Sequence, residues 1–339
     1  MQRDSHPRRV LVVGWGFLGA ATGTRLFDEG VDVVGLTRSD SPRTQAARVR
    51  GIEITIGDAT DRDVVEELME GVGDVVVAAG GLAPPAASVR PHDDLVARLS
   101  PLLSVLECLR RGAGVGITCL SSGGAVYGNP ERLPVRESDP LRPVSPYGAS
   151  CLAAEVYARM YGRTHGLRVG IIRCSNVYGP GQALDRNQGA VGVFLDRLST
   201  GLPLRIFGDG SAVRDYVYID DVAYGVSQVI TRRLDVGTVN LGSGRGHPIL
   251  ELVDLASLIV GARPELEFLP ARRHDVDSII LDVSKLRSLI DWEPLEIGDG
   301  MRRTWRGQRA LDSGSERDSP TVLRLRTDDP RPERGVGLS

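Results

Sequence analysis

Short apolar runs alternate with amphipathic segments through the first third of the chain. Four of the runs are continuously hydrophobic, which is typical of strands buried on both faces of a parallel sheet. These runs are Val10–Gly14, Val31–Leu36, Asp74–Ala79 and Val115–Leu120. The intervening segments with helical spacing are Leu18–Glu29, Asp61–Glu70 and Asp93–Arg110. Strands that alternate with helices predict an α/β fold with a Rossmann-like, doubly wound parallel sheet.

The second half of the chain does not continue the regular alternation of strands and helices. Val169–Cys174 has the composition of one more buried strand, and loops rich in glycine and proline follow it. We expect residues 1–175, with returning segments of the second half, to form a dinucleotide-binding domain. Residues 176–310 are expected to form mostly a smaller C-terminal α/β lobe that binds substrate. Residues 311–339 lack periodicity and are rich in polar residues, so they are predicted to be a disordered tail.

Composition and net charge argue against several classes of protein. Of the residues, 41% are hydrophobic and 25% are charged, and the formal net charge is −3. We therefore expect no nucleic-acid partner. We also expect no membrane segment and no signal peptide, because no apolar run is long enough and MQRDSHPRR at the N-terminus lacks an apolar core. The cysteines share no metal-ligand spacing, so free thiols, no metal site and a cytoplasmic location are predicted. They are Cys108, Cys119, Cys151 and Cys174.

A glycine pattern joins the first strand to the first helix. In GWGFLG, Gly14, Gly16 and Gly19 have G-x-G-x-x-G spacing. One glycine permits the tight turn, another lets the backbone approach a pyrophosphate, and the helix N-terminus stabilises the negative charge. The loop therefore predicts a dinucleotide cofactor that also contacts Phe17 and Leu18.

The ends of the next strands predict the rest of the cofactor site. Thr37 and Arg38 follow the second strand without an acidic residue for a ribose 2′-hydroxyl. Because a guanidinium suits a 2′-phosphate, NADP is favoured over NAD. Asp58 can accept a hydrogen bond from the adenine amino group or cap the following helix, and both roles stay open. The other predicted cofactor contacts are Ala59, Ala79 and Gly80.

Six further motifs follow in order along the chain. They are SSGGAVYG (Ser121–Gly128), PYGASCLAAE (Pro146–Glu155), RCSNVYGPGQ (Arg173–Gln182), IFGDGSAVRDYVYIDDVA (Ile206–Ala223), NLGSG (Asn240–Gly244) and PARRHDV (Pro270–Val276). With the glycine loop, they resemble the extended short-chain dehydrogenase/reductase family, in its UDP-glucose 4-epimerase-like branch of sugar-nucleotide epimerases, dehydratases and decarboxylases. The resemblance covers about residues 9–306. It implies an NAD(P)-dependent enzyme that acts on a nucleoside-diphosphate sugar, or a related diphosphate, through 4-keto chemistry.

The resemblance also implies which residues carry the chemistry. It places the acid/base tyrosine at Tyr147, and the family's lysine four residues later at Cys151. In the family, that lysine binds the nicotinamide ribose and lowers the tyrosine pKa. The family's Ser/Thr position falls on Gly123, so Ser122 is the expected helper. The family's frequent cofactor-contacting asparagine falls on Arg98, which can also bring a charge from the neighbouring helix.

The missing lysine keeps three functions open. Lowering a tyrosine pKa from about 10 to about 7 corresponds to roughly 4 kcal/mol, which a neutral thiol cannot supply. The only lysine, Lys285, lies in the C-terminal lobe and is not expected to substitute. The alternatives to an epimerase/dehydratase are a redox-inactive NAD(P)- or ligand-binding sensor or partner subunit, and a non-redox lyase or isomerase. We expect Cys151→Lys to raise any redox rate.

The same resemblance implies which residues bind substrate and that the protein forms a homodimer. Arg214 and Arg272 correspond to arginines that clamp a diphosphate, and the alternative for each is a surface ion pair. Asn176 matches a residue near the diphosphate and sugar. The segment that holds the nucleoside base through backbone contacts and apolar packing corresponds to Arg205, Ile206 and Phe207. The family's dimer helices correspond to about 93–110 and 147–161, so a homodimer is expected.

Overall fold

Thirteen strands form three sheets in the computed structural model, which describes residues 9–110, 114–184, 189–272 and 274–314. The strands are β1 (Arg9–Val13), β2 (Asp32–Thr37), β3 (Glu53–Ile56), β4 (Val72–Val77), β5 (Gly116–Ser122), β6 (Arg168–Cys174), β7 (Asn176–Tyr178), β8 (Leu204–Phe207), β9 (Val213–Tyr218), β10 (Thr238–Leu241), β11 (Gly246–Pro248), β12 (Leu266–Leu269) and β13 (Ser278–Ile279).

Twelve helices connect and cover these strands within the described residues. They are α1 (Phe17–Asp28), α2 (Pro42–Val49), α3 (Arg62–Leu68), α4 (Pro84–Val89), α5 (Pro91–Leu109), α6 (Gly123–Val126), α7 (Pro146–His165), α8 (Ala190–Ser199), α9 (Ile219–Thr231), α10 (Ile249–Val260), α11 (Ser284–Leu289) and α12 (Ile297–Gly314).

The largest sheet is parallel and has seven strands in the order β10-β6-β5-β4-β1-β2-β3. The predicted doubly wound α/β fold is therefore confirmed. The strand order reverses between β1 and β4. In open parallel sheets, the carboxyl ends of the strands at such a point are where a ligand crevice forms. The register aligns Val13 of β1 with Leu36 of β2 and Val77 of β4. The loops after these three strands consequently meet at one place.

The second half of the chain both extends this sheet and builds a separate lobe. Strand β10 returns to pair with β6, and α9 packs against α1. The lobe contains the sheet β11-β9-β13 with β7 beside β9, and the parallel pair β12-β8. Its own apolar cluster lies between α8, α10 and α12. The lobe begins directly after the carboxyl end of β6, with β7.

The C-terminal helix continues past the predicted start of the tail. Helix α12 extends to Gly314, so residues 311–314 are helical rather than disordered. The remainder of the predicted tail, residues 315–339, lies outside the described residues. No helix in the described part of the chain combines the length and apolarity needed to cross a membrane.

Candidate active site

The glycine loop has the geometry that a dinucleotide requires. Gly14 has φ +97°, and a Cβ there would lie 2.6 Å from the backbone of Ala79. A Cβ on Gly19 would overlap the Gly14 carbonyl oxygen, so the glycine permits close packing of helix on strand. Gly16 is the N-cap of α1 without a side-chain cap, and nothing lies within 4 Å of where its Cβ would be. Uncapped N–H groups of a long helix facing open space fit a pyrophosphate.

The residues next to the glycine turn pack against the lobe and against helix α5. Phe17 and Leu18 pack against the apolar cluster of the lobe. Ala79 and Gly80 follow β4, and Gly80 has φ +111° with its α-carbon facing the backbone of Arg98. The cofactor loop, the β4 loop and α5 are therefore in direct contact.

The residues predicted for the adenosine end of a cofactor lie in the loops after β2 and β3. The Thr37 carbonyl accepts a hydrogen bond of 2.8 Å from the Gly57 N–H, and Arg38 is exposed beside it. The Asp58 carboxylate accepts from the Thr60 N–H, which lowers its pKa, and the Arg38 charge lowers it further. The alternative role of Asp58, helix capping, is taken by Asp61, which caps α3.

The side chain of Ala59 is buried in the core beneath the adenosine end. Any contact of Ala59 with a cofactor is therefore restricted to its backbone. Beyond β2, the carboxylate of Asp40 accepts hydrogen bonds at the start of α2, from the Ser41 N–H and the Thr44 hydroxyl.

Tyr147 lies in the first turn of α7, where the Ser145 side chain caps the helix. The side chains of Ser122, at the end of β5, and Cys151 lie beside the Tyr147 hydroxyl and affect its pKa. The family's Ser/Thr position, Gly123, has no room for a side chain, because a Cβ there would lie 2.7 Å from Leu281 Cδ1. Ser122 is therefore the hydroxyl that reaches the tyrosine.

The electrostatics of the Tyr147 hydroxyl are set by burial and by three neighbours. Burial raises the pKa of Tyr147 above its ordinary value, and Cys151 raises it further. Arg98 and the hydrogen bond from Ser122 lower the pKa of Tyr147. Burial also raises the pKa of the Cys151 thiol to about 11, so the thiol is neutral at physiological pH. A neutral, buried thiol within a helix is not an activated nucleophile.

Arg98 is brought to this centre by the packing of α5 against α7. Its Cζ atom lies 4.8 Å from the centroid of the Tyr147 ring. Its Nε–H donates to Ser150 Oγ at 2.9 Å, and its Nη2 lies 3.5 Å from Asp94 Oδ1. The sequence left open whether any charge replaces the lysine, and the structure places this guanidinium at the tyrosine.

The only lysine does not reach this site. Lys285 Nζ donates to the carbonyl oxygens of Val236, at 2.7 Å, and Thr238, at 2.6 Å. These carbonyls lie at the start of β10, on the edge of the main sheet. Lys285 therefore stabilises the start of the edge strand β10.

The residues predicted to bind the diphosphate lie on the lobe that faces the crevice. The Arg272 guanidinium lies 3.4 Å from the centroid of the Phe207 ring. Arg214, on β9, donates to the backbone carbonyls of Val276 and Asp277. Burial lowers the pKa of Arg214, while the charges of Asp275 and Asp277 act in the opposite direction. The hydrogen bonds of its guanidinium within the described part of the chain go to backbone carbonyls, so this half-buried cation is suited to an anion.

The other predicted substrate residues differ in their burial and in their contacts. Asn176 donates through Nδ2 to the Asp215 carbonyl at 3.0 Å, and lies beside Gly124 near the end of β5. The Ile206 side chain is buried in the lobe core. Arg205 makes an exposed ion pair with Glu267, which was the alternative considered for the arginines. Of this segment, Phe207 is half-buried and lies under the Arg272 guanidinium.

Sequence reasoning missed the residues that position Arg98. Asp94 is fully buried, and its Oδ1 accepts the Leu82 N–H at 2.6 Å, while the Ser150 hydroxyl donates to its other oxygen. Gly81, with φ +77°, lies against the guanidinium. The only sequence signal was the i,i+4 spacing of Asp94 and Arg98 on a predicted helix. Among the described residues, no group of three or more His, Cys, Asp or Glu could hold a metal ion.

Comparison with known proteins gives consistent matches across the chain. A family model described as the NAD dependent epimerase/dehydratase family matches residues 10–242. The UDP-glucose 4-epimerase of Mycolicibacterium smegmatis is 33% identical over 303 residues, which cover 87% of this chain and 97% of that protein.

Two solved structures share the architecture over nearly their whole length. One is the Thermus thermophilus UDP-glucose 4-epimerase in complex with NAD, with a TM-score of 0.82 and 31% identity. The other is the Thermotoga maritima UDP-glucose 4-epimerase with UDP-glucose, with a TM-score of 0.83 and 28% identity. Each match covers 89% of this chain and 99% of the solved chain.

Proposed function

Because the chain belongs to the NAD-dependent epimerase/dehydratase family, we propose that it is an NAD(P)-dependent enzyme that epimerises a nucleoside-diphosphate sugar through a 4-keto intermediate. The observation that carries the proposal is the position of Tyr147 in the first turn of α7, with the Arg98 guanidinium 4.8 Å from its ring centroid and Ser122 at the end of β5 beside it. Tyr147 lies between a glycine loop suited to a dinucleotide and a lobe that presents Arg214 to the same crevice.

The chain's residues would divide the chemistry as follows. Tyr147 removes the proton of the sugar hydroxyl and later returns it, and Ser122 orients that hydroxyl. The nicotinamide, when bound, supplies the hydride chemistry at the sugar carbon. Gly14, Gly16 and Gly19 let the backbone approach the pyrophosphate of the cofactor at the N-terminus of α1.

The diphosphate of the substrate would be held by the lobe. Arg214 and Arg272 contribute two guanidinium groups, and Asn176 lies between them and the tyrosine side of the crevice. Phe207 and the backbone at 205–206 would support the base. The fixed orientation of Arg214 is supported by its hydrogen bonds to the carbonyls of Val276 and Asp277. A guanidinium that is already oriented loses less entropy when it binds phosphate.

The choice between NAD and NADP rests on Arg38. An exposed arginine at the end of β2 favours a 2′-phosphate, and the nearest acidic residue after it, Asp40, is engaged at the start of α2. The Thermus thermophilus relative is in complex with NAD. Isothermal calorimetry with both cofactors tests the preference. Tighter binding of NADP, abolished by Arg38→Ala, supports the role of Arg38, and equal or weaker binding of NADP contradicts it.

The reaction itself is tested with a panel of sugar nucleotides. UDP-glucose, UDP-glucuronate and dTDP-glucose are incubated with the protein and each cofactor, and NMR detects C4 epimers or 4-keto products. Conversion of any of them, lost in Tyr147→Phe, supports the proposal. Cofactor binding without conversion favours the redox-inactive sensor or partner subunit. Conversion without dependence on the cofactor favours the non-redox lyase or isomerase.

A homodimer is proposed from the outer surface of α5 and α7. Leu95 and Val96 on α5 and Val156 and Tyr157 on α7 are all exposed, with 39%, 47%, 53% and 40% of their surface accessible. Two copies would bury these side chains in a four-helix interface. Light scattering tests the dimer, and Val96→Glu with Val156→Glu should yield monomers. The four free, buried cysteines are compatible with the proposed cytoplasmic location.

A further inference from the structure

We propose that Arg98 is the positioning residue that serves Tyr147 in place of the absent lysine, so that the positive charge arrives from α5 instead of α7. This inference rests on the proposed function, since it assigns a further residue to the same site. The relationship that carries it is the guanidinium over the tyrosine ring, at 4.8 Å from the ring centroid. That separation is within the range of a cation–π contact.

The guanidinium is held in this place by buried groups. Its Nε–H donates to Ser150 Oγ, and the Ser150 hydroxyl in turn donates to Asp94. Asp94 is completely buried and also accepts the Leu82 N–H from the loop after β4. Because Asp94 and Ser150 are fixed by these contacts, the arginine has one defined orientation beside Tyr147.

Two small residues provide the room for it. Cys151 stands where the family has a long lysine side chain, and its thiol leaves the space beside Tyr147 to the guanidinium. Gly81 lies on the other side, where a Cβ would overlap Nη2 and Cζ of Arg98. The cysteine and the glycine are therefore parts of one arrangement that moves the cation from one helix to the other.

One donor of Arg98 is still available for a ligand. The arginine is 9% exposed, and its Nη2 lies 3.5 Å from Asp94 Oδ1 but forms no hydrogen bond in the described part of the chain. Nη2 lies against Gly81 in the loop that follows β4, which is the side of the crevice assigned to the cofactor. A buried guanidinium nitrogen that makes no hydrogen bond here has the chemistry to donate to a ribose hydroxyl, as the family's lysine does.

The charges that face Tyr147 agree with this role. Arg98 and Asp94 approach from α5, Cys151 from α7 and Ser122 from β5. Burial opposes the charged form of Arg98, but Cys151, Tyr147 and Asp94 raise its pKa, so it stays protonated. Arg98 in turn lowers the pKa of Tyr147. An opposite charge within about 4–6 Å typically lowers the pKa of an acid by about 1–3 units.

The test compares Arg98→Met, Arg98→Gln and Arg98→Lys, each saturated with NAD. Ultraviolet difference titration against Tyr147→Phe isolates the ionisation of Tyr147. We expect both uncharged variants to raise the pKa of Tyr147 by at least about one unit, to weaken NAD binding in calorimetry, and to slow epimerisation by about a hundredfold. Arg98→Lys should restore part of the tyrosine titration.

The matched control is Arg302→Met on α12, an exposed arginine whose pairing with Asp299 is remote from the crevice. It should match the wild type in every measurement. An unchanged Tyr147 titration in a folded Arg98→Gln or Arg98→Met protein would overturn the inference, and so would Arg98→Lys titrating like Arg98→Gln. Should Arg98→Met fail to fold, Arg98→Gln, which retains a donor for Ser150, supplies the answer.

The two proposals fail in different ways. If the wild type converts no sugar nucleotide, the proposed function fails, while the Tyr147 titration in the presence of NAD still decides the role of Arg98. If the wild type is active and Arg98→Gln is equally active with an unshifted tyrosine, the function stands and the role of Arg98 is wrong.

Discussion

Arg98 and Tyr147 belong to different helices, and the guanidinium of the first lies over the ring of the second at 4.8 Å from its centroid. This relationship changes the meaning of the cysteine at position 151. If α7 is considered alone, Cys151 means that the positive charge of the family's lysine is missing. With α5 packed against α7, the cation is present and the cysteine leaves space for it. The proton-transfer centre therefore keeps a positive neighbour.

The structure reverses the sequence-based expectation for Cys151→Lys. A lysine at 151 would bring a second cation against Arg98 in a buried place, so we now expect the single variant to be slower and less stable than the wild type. The double variant Arg98→Asn with Cys151→Lys should regain activity above either single variant. Steady-state kinetics and denaturant melts of the four proteins measure this coupling.

Purely additive effects in that cycle would show that positions 98 and 151 act independently. A single Cys151→Lys protein that outperforms the wild type would restore the original expectation and contradict the reversal.

Ser122→Ala should move the pH dependence of the reaction to higher pH. The hydrogen bond from Ser122 lowers the pKa of Tyr147, so its loss raises that pKa and leaves less phenolate at neutral pH. Because the phenolate is the base, kcat/KM rises with pH, and its rising limb should shift upward by about one unit. The charged neighbours Arg98 and Asp94, and the Cys151 thiol, remain in place.

Ser121→Ala is the matched control for the hydroxyl. Ser121 precedes Ser122 in β5, but its hydroxyl donates to Glu155 at 2.6 Å. The pH profile of Ser121→Ala should coincide with that of the wild type. A shifted limb in Ser121→Ala, or none in Ser122→Ala, would contradict the role assigned to Ser122.

Arg214→Met should weaken substrate binding. A charge-assisted hydrogen bond contributes about 1.5–3 kcal/mol, which corresponds to an increase in KM of about 10- to 100-fold. The kcat should change much less, because Arg214 is assigned to the diphosphate, away from the reacting carbon. Initial-rate kinetics measure both values, with Arg302→Met as the control. A normal KM in Arg214→Met would remove this arginine from the substrate site.

The strands and helices of the main sheet could be predicted because their signals are local. The apolar runs correspond to β1, β2, β4, β5 and β6 within about two residues, and the predicted helical segment 93–110 corresponds to α5. The short helices α4 and α6 were not predicted, since six and four residues are too few to show a period. Their bounds are set by tertiary contacts.

The sequence suggested that Arg98 could bring a charge from the neighbouring helix, but it could not give the position of the guanidinium for a related reason. Its distance from Tyr147 depends on how α5 packs against α7, and the two residues are 49 positions apart. The space around the guanidinium depends on Gly81, whose φ of +77° belongs to the folded loop. Gly123 likewise gave no sign that Leu281 occupies the place of its missing side chain.

Arg173→Met should destabilise the fold strongly. Arg173 and Glu155 are each 1% exposed, with Nη2 and Oε2 at 2.7 Å, and Arg173 also donates to the Tyr127 hydroxyl. Removal of Arg173 leaves the buried Glu155 carboxylate with only the Arg159 guanidinium and the Ser121 hydroxyl as partners. Breaking a buried pair costs up to about 3–5 kcal/mol. Urea unfolding measures the loss. Arg205→Met breaks the exposed pair with Glu267 and should cost less than about 1 kcal/mol. Similar losses in both variants would contradict this.

Gly81→Ala should impair the site by displacing Arg98, and Gly71→Ala supplies a matched control. Both glycines have left-handed backbones, with φ +77° and +72°, so alanine costs each about 1–2 kcal/mol of stability. Only at Gly81 would the new methyl group overlap the guanidinium, since nothing lies within 4 Å of a Cβ on Gly71. Urea unfolding should therefore show comparable destabilisation, while calorimetry and kinetics show weaker NAD binding and slower turnover in Gly81→Ala alone. Equal activity of the two variants at matched stability would mean that the position of Arg98 over Tyr147 does not control the chemistry.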